Sequence, residues 1–146
     1  MEKSKIQRKE RSGFGEMAVE GLFGGMVAGI VMLVYLLATG LLSGQAPGVV
    51  AGGFSLQTPT NPVQGTLLHL AVSATYGLLF GMLIALLGRR LSAWALALLY
   101  MLAIYLLAVF VLMPVSQSRL LQIAPLHFAL AHLVYGLVLA LWFKGK

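Results

Sequence analysis

The sequence predicts an all-α membrane protein: four transmembrane helices in an antiparallel up-and-down bundle, with both termini in the cytoplasm. Three observations carry this expectation. Of 146 residues, 60% are apolar and 10% charged, with a mean hydropathy of +0.93, against ~45–50% and ~25% in an ordinary globular domain. Four stretches reach the roughly 20 apolar residues that a hydrocarbon core of ~30 Å requires. The Lys and Arg residues fall almost wholly on one side of the resulting plan. The length allows a basic N-terminal arm over 1–16 and a single transmembrane domain over 17–146.

The arm carries Lys3, Lys5, Arg8, Lys9 and Arg11, and anionic lipid headgroups are its expected counter-charge. Nucleic acid is not expected as a partner, because Glu2 and Glu10 dilute the arm and no aromatic residues interleave with its cations.

The first span covers 17–43. Its apolar run exceeds the ~7–15 residues of a signal h-region, and Pro47 would sit directly after the small-x-small site made by Gly44 and Ala46, so the span is expected to be retained. Glu16 and Glu20 are expected to cap its N-terminus, where the helix dipole favours carboxylates. Gly21, Gly25 and Gly29 form a tandem GxxxGxxxG, a spacing that lets two backbones approach closely. A neighbour in the same bundle is the expected partner, and a homodimer seam is the alternative.

The 44–63 connection is rich in Gly and Pro and uncharged, yet carries Val49, Val50, Phe54 and Leu56. It is expected to rest against the bundle or dip into the headgroups, with a lid as the alternative. The second span, 64–88, repeats the small-residue spacing at Gly77 and Gly81 and ends at Arg89-Arg90. The third, 92–113, begins near Trp94. The break from Pro114 to Pro125 holds Arg119, and its stretch from Ser116 to Ala124, with Leu120, Leu121 and Ile123 among Gln117 and Gln122, reads as a short helical turn on the membrane interface. The fourth span is 126–143, with Trp142 read, like Trp94, as an interfacial anchor.

Cations set the orientation. Lys3, Lys5, Arg8, Lys9, Arg11, Arg89, Arg90, Lys144 and Lys146 lie on one side of this plan and Arg119 alone on the other. Nine against one places both termini in the cytoplasm.

The chain has no Cys and no Asp, and its four acids, Glu2, Glu10, Glu16 and Glu20, all precede residue 21. Thiolate metal sites, disulfides, Asp-dependent phosphoryl transfer and Ser-His-Asp triads are thereby excluded. No paired carboxylates can meet in the body of the bundle.

Ionisable groups within a span are functional hypotheses by default. His69 and His132 each lie about 8 Å inside the outer surface at ~1.5 Å per residue. Ser73, Tyr76 and Gly77 follow His69 on one helix face, and Tyr135 and Gly136 follow His132 on another. If those faces meet, His69, Ser73, Tyr76, His132 and Tyr135 enclose a polar pocket. The imidazoles there have two readings. One is structural, each bonding a backbone carbonyl or a Tyr of the next helix. The other is a haem, quinone or metal site, with His127 or Gln122 as a possible third metal ligand. His127 stands ~140° from His132 around the helix and cannot share one ligand with it without distortion. A weak echo between His69–Leu78 and His127–Leu137, sharing His, Ala and Tyr-Gly-Leu, points to a parallel repeat of two helical hairpins.

Gly24 to Val31 (GGMVAGIV), Leu68 to Gly81 (LHLAVSATYGLLFG) and Leu130 to Gly136 (LAHLVYG) resemble the YagU-like family of small four-span bacterial inner-membrane proteins of unknown function. The resemblance implies a bacterial cytoplasmic membrane and carries over no catalytic residue.

The expected function is that of a non-enzymatic multi-pass membrane protein, free-standing or an accessory subunit of a larger membrane complex, with no cofactor predicted. The alternatives are a haem- or quinone-binding redox protein using His69 and His132, and a small transporter or proton-linked channel.

Overall fold

A computed structural model describes residues 2–57, 59–88, 91–116 and 124–144. Arg89, Arg90, Lys146 and the 117–123 stretch with Arg119 and Gln122 lie outside the described residues, as do the side chains of the basic arm. Those described form helices α1 (Glu2–Leu42), α2 (Pro47–Gly52), α3 (Pro62–Leu87), α4 (Ala93–Leu107), a π-helical turn (Ala108–Leu112), α5 (Met113–Ser116) and α6 (Pro125–Trp142). No strand occurs among them. Four segments are long and apolar enough to cross a membrane: Gly13–Leu42, Pro62–Leu87, Ala93–Leu112 and Pro125–Trp142.

Local chemistry explains the boundaries. The Asn61 side chain accepts from the backbone N–H groups of Val63 and Gln64 at 2.9 and 3.1 Å, with Pro62 in the first turn of α3. Both devices satisfy or remove donors that a helix start leaves unpaired. Ser92 caps α4 in the same way through Ala95 at 3.2 Å. At the end of α1, Gly44 takes φ 78°, while Gln45 bonds back to Gly40 and Gly44 to Leu41. That pair of bonds is a Schellman cap, whose left-handed position suits glycine.

The π turn follows from Pro114. An α-helical residue 114 would donate to the carbonyl of Phe110, and proline has no N–H to give and a ring that crowds that carbonyl. The helix widens instead, and Met113 bonds to Ala108, five residues back.

Packing is dominated by α1. Its Gly21, Gly25 and Gly29 lie against Gly81, Gly77 and Ser73 of α3 respectively. A Cβ on Gly25 would stand 2.6 Å from the Gly77 Cα, and one on Gly21 2.8 Å from the Gly81 Cα. The small-residue spacing is therefore used within the chain, and the backbones touch where any side chain would hold them apart. Helix α1 also packs on α6, and α6 on α4, where a Cβ on Gly136 would stand 2.8 Å from the Met101 Cβ. Phe80, Leu36, Tyr135, Leu139 and Phe143 are fully buried at the centre. By contrast α3 and α4 barely touch.

Three expectations need correction. The helix does not begin near residue 17 but runs unbroken from Glu2, because the Lys, Arg, Glu and Gln of the arm are good helix formers. Glu16 and Glu20 are therefore far from any helix start and do not cap one. The Glu20 carboxylate accepts from the Trp142 indole N–H at 3.1 Å, and that indole lies over Gly24, whose Cβ would stand 2.9 Å from it. Trp142 is thus a tie between α6 and α1 as well as an end-of-span aromatic.

Candidate functional site

Between α3 and α4, in the half of the molecule next to the 43–61 connection, lies a cavity of about 270 Å³. Helix α3 contributes His69, Val72, Ser73 and Tyr76; α6 contributes Phe128, His132 and Tyr135; and the α4 side is closed by Ile104, Ala108, Leu112 and Met113. Met32 of α1 forms the back wall. The five pocket residues predicted from helical spacing thus line one cavity. They do so because His69, Ser73 and Tyr76 share a face of α3 turned towards α1 and α6, while α4 stands off from α3.

The connection closes the outer end. Helix α2 tucks under α3 at Gly65, where a Cβ would collide with the Ala51 carbonyl oxygen. This brings the Phe54 ring onto the His69 imidazole, with centroids 4.6 Å apart, and sets Leu56 at the rim. Towards the other end the Tyr100 hydroxyl donates to the Tyr76 carbonyl at 2.7 Å, joining α4 to α3 below the cavity. The mouth lies on the flank between these closures. Val72 and Leu112 line the cavity and are also 47% and 44% exposed on the outer surface.

The lining is more apolar than expected, because the polar groups direct their hydrogens at backbone carbonyls. The Tyr135 hydroxyl donates to the Ser73 carbonyl at 2.7 Å. His69 bonds through Nε2 to the Gly29 carbonyl of α1 at 3.0 Å, and His132 through Nδ1 to the Phe128 carbonyl of its own helix at 2.9 Å. The His69 bond joins α3 to α1, whereas the His132 bond stays within α6. The His132 ring is further held edge-on by Phe128 at 4.5 Å and Tyr105 at 5.5 Å.

His127 is elsewhere. Its Nδ1 pairs with the Tyr35 hydroxyl at 3.1 Å, in a separate small cleft beside Thr39 and Gly40. The 140° offset along α6 separates the two histidines, and His69 shares its cavity with His132 rather than with His127, its counterpart in the sequence echo. Among the described residues no three His, Cys, Asp or Glu side chains come together.

Several residues of the site were not legible in the sequence. Phe128 carried a usable signal, being four residues before His132 on the same face. Phe54 belonged to a connection expected to rest against the bundle, but Met32 and the π-turn residues Ala108 and Leu112 carried no signal, since each arrives through the fold of another segment.

The chain matches no family model, no curated protein and no solved structure. Its chemistry is therefore read from the geometry: two imidazoles, two phenols and a hydroxyl in an otherwise apolar cavity without a carboxylate or a cation in its lining.

Proposed function

We propose that this chain is a non-enzymatic, four-span protein of the bacterial cytoplasmic membrane that binds an apolar molecule drawn sideways from the lipid between α3 and α4. The observation that carries the reading is the flank opening at Val72 and Leu112, which leads from the apolar outer surface into the cavity of His69 and His132. Ligand sites are typically apolar clefts with a few converging polar groups, at ~300–1,000 Å³, and this one lies at the small end.

The orientation we assign is antiparallel, with both termini in the cytoplasm, on the nine-to-one distribution of cations. The cavity then lies in the outer half of the bilayer. The likeness to YagU-like sequences supports the bacterial cytoplasmic membrane as its location. Association with a larger assembly would use a face other than the Gly21–Gly29 stripe, which α3 occupies. A haem held by both imidazoles is the competing reading. The small volume and uncharged lining favour a smaller, neutral guest.

Native mass spectrometry of the protein released gently from its own membranes tests the proposal. The expected species is the 15.6 kDa chain carrying a small apolar guest, which Leu112→Trp removes by filling the mouth. Bare multiples of the chain mass would overturn it, and a guest with a Soret absorbance band would replace it with the haem reading.

A further inference from the structure

The two cavity histidines differ in which nitrogen they use, but the consequence is the same. A carbonyl oxygen only accepts, so the bond to Gly29 places the His69 proton on Nε2, and the bond to Phe128 places the His132 proton on Nδ1. A neutral imidazole has a single N–H, and its other nitrogen is an acceptor. Nδ1 of His69 and Nε2 of His132 therefore carry lone pairs. Neither makes a hydrogen bond among the described residues, where no fully buried side-chain nitrogen lacks a partner. Both nitrogens are therefore accessible, on rings that line the cavity. Ser73 and Tyr76 have hydroxyls that can donate or accept, and the Tyr135 hydroxyl is committed to Ser73. The fixed polar groups of the cavity are thus acceptors.

We infer that the cavity selects apolar molecules whose polar group is a hydroxyl, such as a phenol, a hydroquinone or a lipid-soluble alcohol, over the matching ether or carbonyl compound. A hydroxyl donates to an open imidazole nitrogen, whereas an ether or ketone oxygen sets lone pair against lone pair there and has only the rotatable hydroxyls of Ser73 and Tyr76 to accept from. The apolar remainder lies along Val72 and Leu112 towards the lipid. The inference rests on the cavity being a lipid-side binding site, and the test separates the two.

The full chain in lipid nanodiscs is titrated with 4-octylphenol, 4-octylanisole and 4-octyltoluene, with binding to empty nanodiscs subtracted. These probes share a ring and tail, and only the phenol can donate. 1-Dodecanol and 2-dodecanone form a second pair that distinguishes aliphatic from aromatic guests. The expected result is saturable binding of the apolar probes, with the donor of at least one pair favoured by roughly 5- to 10-fold, the scale of one neutral hydrogen bond. His132→Phe removes one of the two open acceptors and should reduce that preference while retaining apolar binding. This variant keeps an aromatic ring and gives up only a bond within its own helix, so it tests the inference even if His69→Phe, which breaks the α3–α1 tie, does not fold. Equal saturable binding within both pairs would overturn the hydroxyl selectivity and leave the cavity reading standing. Absence of saturable binding by any probe would overturn both.

Discussion

Tyr135 of α6 donates its hydroxyl to the backbone carbonyl of Ser73 on α3 at 2.7 Å, and Gly25 of α1 packs against that same carbonyl. Three helices thus meet at one oxygen. A helical carbonyl has a second lone pair beyond its own helix bond, and the bundle uses it three times: at Ser73, at Tyr76 for Tyr100, and at Gly29 for His69. Each bond joins a different pair of helices, and together they tie the walls of the cavity to its centre.

Tyr135→Phe should lower stability by about 1 kcal/mol, in the range of hydrogen bonds between membrane helices. Because the hydroxyl is committed to the Ser73 carbonyl, binding of an alkyl phenol should change less than twofold. Unfolding free energies in mixed micelles, read beside the binding titration, check both statements. A large loss of binding with unchanged stability would mean that the hydroxyl serves the guest instead.

Gly77→Ala should destabilise by roughly 1–3 kcal/mol, the scale of overpacking, since its Cβ would press into the backbone of Gly25, where nothing can yield. Gly15→Ala is the contrast. A Cβ there meets nothing within 4 Å, and the change should be neutral or stabilise by up to ~1 kcal/mol through helix propensity. Equal effects at the two positions would contradict the α1–α3 seam.

Pro114→Ala restores an N–H opposite the Phe110 carbonyl and should let the π turn rewind to an α-helix. Ala108 and Leu112 would then rotate relative to α3 and reshape the cavity wall. The expected outcome is at least a severalfold weaker affinity for an apolar guest with unchanged or higher thermal stability. Unaltered affinity would show that the wider turn does not shape the site.

The absence of cysteine makes orientation directly measurable. Single substitutions Gln57→Cys and Lys144→Cys place thiols at two exposed positions on opposite sides of the proposed topology. In intact cells a membrane-impermeant maleimide should label position 57 and not 144. The reverse pattern would invert the assignment, and equal labelling would discard the four-span plan.

Much of this architecture is legible without coordinates. Hydropathy and length delimit the four spans, because a helix with its backbone bonds closed internally is what an uninterrupted apolar run can form in lipid. The four-residue spacing of Gly21, Gly25 and Gly29 announces a close contact. The i, i+4, i+7 pattern of His69, Ser73 and Tyr76 announces a shared face. These are local periodicities, and a single helix contains all the information they need.

Tertiary structure alone decided which faces meet. That α3 rather than α4 or a second copy takes the glycine stripe, that Phe54 folds over His69, that Trp142 reaches Glu20, and that α3 and α4 part to leave a flank opening all depend on contacts between residues far apart in the chain. In an apolar solvent no hydrophobic driving force ranks one helix partner above another; close packing and a few hydrogen bonds do. Those terms act over ångströms between surfaces, and no pattern within one segment records them.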